Sequence, residues 1–206
     1  MIRILGRLNS VNVQKVMWCA AELGVEIQQE DVGGAFGGTD TDDYLSKNPN
    51  GRIPTLEDGD FVLWESNSIV RYLCDKYGKD DWLPDTPQLR ALANQWMDWY
   101  IAQLHPPMTT LFWQLIRIAP DSRDLAALHG SINTSEVYWT LLDAHLKGRT
   151  YLLGDRISMA DIPLGCSAYR WHSMTFERRD LPHLAAWYHR LTVRPAFREN
   201  VMLELT

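Results

Sequence analysis

Hydrophobic and polar positions change period several times along the 206-residue chain. Ile2 to Leu5 is a short apolar run of the kind a buried strand makes. From Val13 the spacing switches: Val13, Val16, Met17, Ala20 and Leu23 recur at i, i+3, i+4, i+7 and i+10, which is one face of a helix. Gly24 follows as a natural C-terminal stop. Val25 to Val32 reads as a second strand, and strand–helix–strand implies a parallel pair with a right-handed crossover. Gly33 to Asp43 has four glycines and no period, so it reads as loop. Pro54 to Leu56 and Phe61 to Leu63 are short strands joined by the turn-forming Glu57-Asp58-Gly59-Asp60. Glu65 to Tyr77 is a helix with Ile69, Val70, Leu73 and Tyr77 along one side and Gly78 behind it. Residues 1–78 are therefore expected to form a small mixed α/β domain.

The polar, proline-containing stretch 79–87 is the expected linker. Residues 88–206 read as an all-α domain. Leu89, Leu92, Trp96 and Trp99 make one stripe. Leu125, Leu128, Ile132, Ser135, Trp139, Leu142 and Leu146 make a bundle-type seam that only Ser135 interrupts. Shorter helices are expected from Ser158, His183 and Pro195. Ser158-Met159-Ala160-Asp161 is a capping-box pattern with Asp in place of the usual Glu or Gln, and its expected role is structural.

Composition and charge exclude several classes. Lys and Arg number 20 against 26 Asp and Glu, a net charge of −6, which argues against nucleic acid as a partner because phosphate contacts need clustered cations. No apolar run approaches a membrane span. Arg3, Arg7 and Lys15 interrupt what would have to be a signal's apolar region, so the chain is expected in the cytoplasm. Three cysteines, Cys19, Cys74 and Cys166, lie far apart without a CxxC, and are expected to be buried thiols in a reducing compartment. The nine tryptophans lie mostly beyond Trp82, and aromatics at helical spacing usually belong to a core.

The six histidines include no HxxxH pair and no Cys-containing cluster, so no metal is expected. There is no GxSxG, no P-loop and no GxGxxG. What remains is a set of polar groups at element ends. Ser10 and Asn12 lie between the first strand and the first helix. Both suit helix capping, and the same geometry suits an anion such as a thiolate, because a helix N-terminus offers unpaired N–H groups and a partial positive charge. Ile53-Pro54 opens a strand, where proline is tolerated and a cis bond is accessible, and the Ile53 backbone there can pair with a peptide-like ligand. Glu65 and Ser66 open the third helix, where backbone N–H groups suit a carboxylate and Glu65 suits an ammonium. Together these groups suggest a peptide bearing a free amine, a carboxylate and a thiol.

The chain resembles the cytosolic glutathione transferases, detoxifying enzymes with a thioredoxin-like N-terminal domain and an all-helical C-terminal one. The matching pieces are Asn9-Ser10-Val11-Asn12-Val13-Gln14-Lys15-Val16, Asn48-Pro49-Asn50-Gly51-Arg52-Ile53-Pro54-Thr55-Leu56, Trp64-Glu65-Ser66-Asn67-Ser68-Ile69-Val70-Arg71-Tyr72-Leu73, Ser158-Met159-Ala160-Asp161-Ile162 and Leu191-Thr192-Val193-Arg194-Pro195-Ala196-Phe197. They span nearly the whole chain in order, and look closest to bacterial members with Asn-Ser-x-Asn-Val after the first strand. The resemblance implies that Ser10, with Asn12, hydrogen-bonds the glutathione sulfur. It implies that Ile53, before the family's cis-proline Pro54, pairs with the cysteinyl unit, and that Glu65 and Ser66 bind the γ-glutamyl end. Asn50, Arg52 and Lys47 are candidates for the glycyl end. The acceptor pocket is expected near Trp99, Tyr100, Met108, Trp113 and Trp171, with Arg7 either a surface cation or an attractor of acidic electrophiles.

Three departures narrow the class. Leu5-Gly6-Arg7 stands where tyrosine-dependent members carry their tyrosine, no cysteine lies near Ser10, and Asn67 replaces the Arg that some classes carry. The expected reaction is attack of glutathione thiolate on an electrophilic or halogenated small molecule. A thiol of pKa about 8.5 must lose about two units, or about 2.7 kcal/mol, which two or three charge-assisted hydrogen bonds can supply. The alternatives are glutathione-dependent disulfide reduction or peroxidase activity, and a non-catalytic interaction module of the same fold. A homodimer is expected from the resemblance.

Overall fold

The computed structural model describes residues 1–78 and 82–206, so Lys79, Asp80 and Asp81 of the expected linker lie outside the described residues. It divides into two compact units: Met1–Leu83 with Pro195–Leu203, and Pro84–Arg194 with Glu204–Thr206. The division between Leu83 and Pro84 falls inside the 79–87 stretch.

The first unit runs β1 (Ile2–Leu5), α1 (Val11–Glu22), β2 (Ile27–Glu30), α2 (Asp42–Lys47), β3 (Thr55–Asp58), β4 (Phe61–Trp64) and α3 (Ser66–Tyr77). The sheet order is β2-β1-β3-β4. β1 and β2 are parallel, with Ile2 opposite Ile27. β3 runs antiparallel to β1, with Leu5 opposite Thr55, and β4 antiparallel to β3, with Thr55 opposite Trp64. Ile4 and Leu56 on the sheet, Val13 and Val16 on α1, and Ile69, Val70 and Leu73 on α3 are buried together as the core.

Several boundaries differ from the pattern in the sequence. β2 keeps only four of the eight residues expected, because as an edge strand it alternates half-buried and exposed positions. The supposed loop Gly33–Asp43 contains a single 3₁₀ turn, Gly34–Phe36, and the first residues of α2. That helix has six residues and buries only Tyr44, too little to produce a period, and Thr41 caps it by accepting the Tyr44 N–H through its hydroxyl. The hairpin tightens to the two residues Gly59-Asp60, with Gly59 at φ +63°.

The last helix, α9 (Pro195–Asn200), packs in the first unit, where Phe197 meets Trp18 of α1 edge-on at 4.7 Å. Grouping residues 88–206 together misses this, because nothing local marks a terminal helix as returning to the first unit.

The second unit comprises α4 (Pro87–Trp99), α5 (His105–Phe112), α6 (Leu125–Leu146), α7 (Asp161–Ser173) and α8 (Pro182–Thr192), with π turns at Tyr100–Leu104 and Trp113–Arg117. On α4 the buried side is Ala93, Trp96 and Met97, while Leu89 and Leu92 of the expected stripe stay exposed. On α6 Leu128, Ser135, Trp139, Leu142 and Leu146 are buried as the seam predicts, but Leu125 is exposed. Helix α7 begins at Asp161 rather than Ser158. The Asp161 carboxylate accepts the Ser158 N–H at 3.0 Å, so the capping-box contact forms one turn before the helix proper.

Candidate functional site

Three element ends of the first unit converge. Ser10 is the N-cap of α1 in extended geometry, and its side chain makes no capping hydrogen bond. The capping alternative is therefore not used, and the hydroxyl is not spent on its own helix. Asn12 lies in the first turn of α1, half-buried. Its Oδ1 accepts from Lys15 Nζ at 2.9 Å and from Ser66 Oγ at 3.4 Å. Lys15 Nζ also donates to Ser66 Oγ at 3.3 Å. These bonds join the first turn of α1 to the first residue of α3.

A cleft is lined by Asn12, Asn48, Asn50, Arg52, Ile53, Pro54, Glu65 and Ser66. The Ile53–Pro54 bond is cis, and Ile53 precedes the first ladder pair of β3 by two positions. Its N–H and C=O thus lie beyond the strand's own pairing. Gly6, at the end of β1, permits the close packing beneath: a Cβ there would stand 2.7 Å from Val13 Cγ2 and 3.1 Å from Ile53 Cβ.

Asn48, to which the sequence assigns no site role, supports the cleft. It is buried, and its Nδ2 donates to the Arg52 carbonyl at 2.7 Å and to Thr55 Oγ1 at 3.2 Å. Its Oδ1 accepts from the backbone N–H and the side-chain amide of Asn50, both at 3.1 Å. Tyr44 Oη adds a bond to the same Arg52 carbonyl at 2.7 Å, and burial pushes its phenol pKa up. The bend leading to Pro54 is thereby held from two sides. An Asn-Pro-Asn-Gly run signals a turn, and only the fold shows that its first Asn supports the cleft.

At the other end, Glu65 is the N-cap of α3 with φ +72° and ψ +110°. A non-glycine residue at positive φ is uncommon, and such positions cluster where ligands are held. Its side chain is exposed, while Ser66 and Asn67 behind it are buried. Helix α3 carries no acidic residue in its first turn, so its N–H groups meet no neutralising charge from within the helix.

Not every expected residue joins the cleft: Ser10 and Lys47 are not among the residues that line it. Lys47 is ion-paired with Asp43 at 2.8 Å and Glu57 at 3.1 Å. Those bonds, Asp43 first, raise its pKa. Arg7 donates to Asn9 Oδ1 at 2.6 Å and lies over Gly34, where a Cβ would come within 2.5 Å of Arg7 Nε. The cleft is small, about 70 Å³, and lies where Ile53 and Pro54 lead into β3. A larger depression of about 530 Å³ on the first unit is lined by Pro195, Arg198, Glu199 and Met202. Its lining among the described residues comes from α9 and the turn that follows it.

The comparisons bear on the same residues. Residues 2–75 match the family model of the glutathione S-transferase N-terminal domain, and residues 138–190 that of the C-terminal domain. Glutathione S-transferase GstB of Escherichia coli (strain K12) is 38% identical over 208 residues, covering 100% of both chains. The chain belongs to the glutathione S-transferase family. A theta class glutathione S-transferase from the citrus canker pathogen Xanthomonas axonopodis pv. citri, solved with glutathione bound, is 48% identical with a TM-score of 0.96, covering 100% of this chain and 99% of that one. Glutathione S-transferase D6 of Drosophila melanogaster is 32% identical over 93% of this chain and 88% of its own.

This transferase has the thioredoxin-like α/β part and the helical part that the sequence predicts, and its activity is that of a glutathione transferase. Cys19, Cys74 and Cys166 are all buried. Among the described residues, no helix is long and apolar enough to cross a membrane.

Of the residues expected at an acceptor pocket, Tyr100, Met108 and Trp171 are buried, Trp99 is half-buried and Trp113 is 56% exposed. Tyr100 Oη lies 3.0 Å from His105 Nδ1, and burial raises its pKa. The Trp171 ring is surrounded by Trp139 at 5.9 Å, Phe176 at 4.9 Å and the Arg178 guanidinium at 5.7 Å. These contacts make Trp171 part of the second unit's core.

Proposed function

We propose that the cleft binds reduced glutathione and that Ser10 and Asn12 hold its sulfur as the thiolate. The carrying observation is the meeting of the α1 N-terminus, the cis Ile53–Pro54 bond and the α3 N-terminus on one small cleft. A thiolate opposite Asn12 receives an amide donor and the positive end of α1. The Ile53 backbone pairs with the cysteinyl peptide unit. Ser66 and the following N–H groups take the γ-glutamyl carboxylate, and Glu65 takes its ammonium. Asn50 and Arg52 serve the glycyl end. Lys47 is left out of this assignment because two carboxylates already hold its ammonium.

The reaction is addition of the thiolate to an electrophilic carbon, or displacement of halide from one. The sulfur forms the new bond, and in the displacement the halide leaves with its electron pair. The relative solved with glutathione bound, 48% identical to this chain, supports the ligand. The burial of all three cysteines supports chemistry at the glutathione sulfur rather than at a protein thiol. We further propose a homodimer, for which analytical ultracentrifugation should return twice the chain mass.

Calorimetric titration with reduced glutathione tests the ligand reading. Binding near one site per chain at micromolar to low-millimolar concentration is expected. No heat of binding across that range would overturn the site assignment.

A further inference from the structure

We propose that Lys15 is a positioning residue for the transferase reaction, holding the Asn12 carboxamide so that its N–H groups, not its oxygen, face the glutathione sulfur. Lys15 is completely buried, an unusual place for lysine, and its Nζ reaches Asn12 Oδ1 at 2.9 Å. The two ends of an asparagine amide have nearly the same shape, so steric fit alone does not choose between them. An ammonium carries only donors, and so it chooses the oxygen.

Ser66 reinforces the choice. Its Oγ stands 3.3 Å from Lys15 Nζ and must accept there, which leaves its own proton for Asn12 Oδ1 at 3.4 Å. The oxygen then receives two donors, one of them cationic. Rotating the amide by half a turn would set its NH₂ against the ammonium, which has no acceptor to offer it. The orientation is therefore locked, and Nδ2 is left for the cleft that Asn12 lines. A fixed donor favours thiolate over thiol. An amide free to rotate could present its oxygen and favour the protonated sulfur instead.

The three residues sit on two elements. Lys15 is one turn along α1 from Asn12, and Ser66 opens α3. The same lysine thus sets the amide and ties together the two helix N-termini that frame the cleft.

This inference rests on the reading that Asn12 faces the sulfur, and the test separates the two. The pKa of enzyme-bound glutathione is read from thiolate absorbance during a pH titration, with glutathione affinity measured by calorimetry. Lys15→Met, which keeps the stem and removes every donor, should raise the bound thiol pKa by about one unit, a tenfold loss of thiolate below that pKa. Affinity should change less than threefold, and the deficit in kcat/KM should shrink as pH rises. Lys15→Gln, which keeps an uncharged N–H donor group and is the milder change for folding, should give a smaller rise in the same direction. In an Asn12→Ala background Lys15→Met should add nothing further.

A wild-type pKa in a folded Lys15→Met or Lys15→Gln protein overturns the proposal, and lost affinity or stability without a pKa change assigns Lys15 to structure alone. If Asn12→Ala itself leaves the pKa unchanged, the reading of Asn12 fails and the proposal fails with it. If Asn12→Ala raises the pKa and both Lys15 variants do not, only the proposal fails.

Discussion

Glu65 and Ser10 make opposite uses of backbone position. Ser10 takes ordinary extended geometry at the N-cap and withholds its side chain from its helix. Glu65 accepts a left-handed φ of +72° to begin α3, where a side chain costs about 1 kcal/mol or more relative to glycine. Replacing Glu65 by glycine should therefore leave thermal stability unchanged or slightly raised, yet weaken glutathione binding about tenfold through loss of one charged hydrogen bond. Paired melting and calorimetry measure both, and a drop in both would mean that the strain was misread. For the sulfur site, Ser10→Ala should raise the bound thiol pKa with affinity nearly intact, because the hydroxyl helps to stabilise charge rather than to hold the peptide. Thiolate titration checks it.

Elements depend on a few buried polar contacts. Helix α7 is introduced by Asp161, completely buried, whose Oδ1 accepts the Leu152 N–H at 3.1 Å and the Trp187 indole N–H at 2.9 Å. Its Oδ2 accepts the Ser158 N–H at 3.0 Å and the Ser158 hydroxyl at 3.3 Å. One carboxylate thus joins the preceding loop, the start of α7 and the side of α8. Asp161→Asn would turn an NH₂ toward two of these donors and should cost about 2–3 kcal/mol, read as a lowered urea midpoint. Ser158→Ala should cost about 1 kcal/mol, since the backbone bond to Asp161 survives. The capping pattern was visible in the sequence, but the Trp187 and Leu152 donors were not, since they stand far from Asp161 along the chain.

Across the whole molecule, buried Asp161 and half-buried His172 on α7 give stability opposite slopes with pH. Burial raises Asp161 to about 6, against the pull of its hydrogen bonds to Trp187, Leu152 and Ser158. Its folded pKa lies above the unfolded value, so its contribution is complete at low pH and is lost as pH rises through about 6. Burial, then Arg178, lowers His172 to about 4, and its ring stacks on Tyr188 at 4.4 Å. Its contribution is present above about 6.5 and is lost as pH falls toward 4. Between these limits the two partly cancel. His172→Phe, which keeps the stacked ring, should flatten the loss of stability on acidification, and Asp161→Asn should steepen it. Urea unfolding at pH 7 and pH 5 decides the matter, and parallel profiles for both variants would contradict the assignment.

Period and punctuation in the sequence determined the order of the strands and of the longer helices, and the element ends that carry Asn12, Ile53 and Glu65, because these are local properties of spacing, glycine and proline. They did not determine where α9 packs, which side of α4 is buried or that α2 exists, since each depends on distant surfaces or on too few apolar residues. The site divides the same way. Candidate donors could be chosen from residue type and place, whereas the bonds that Ser66 makes to Lys15 and Asn12 join positions 51 and 54 residues apart. Hydrogen bonds of that range leave no periodic trace, and only the folded chain decides them.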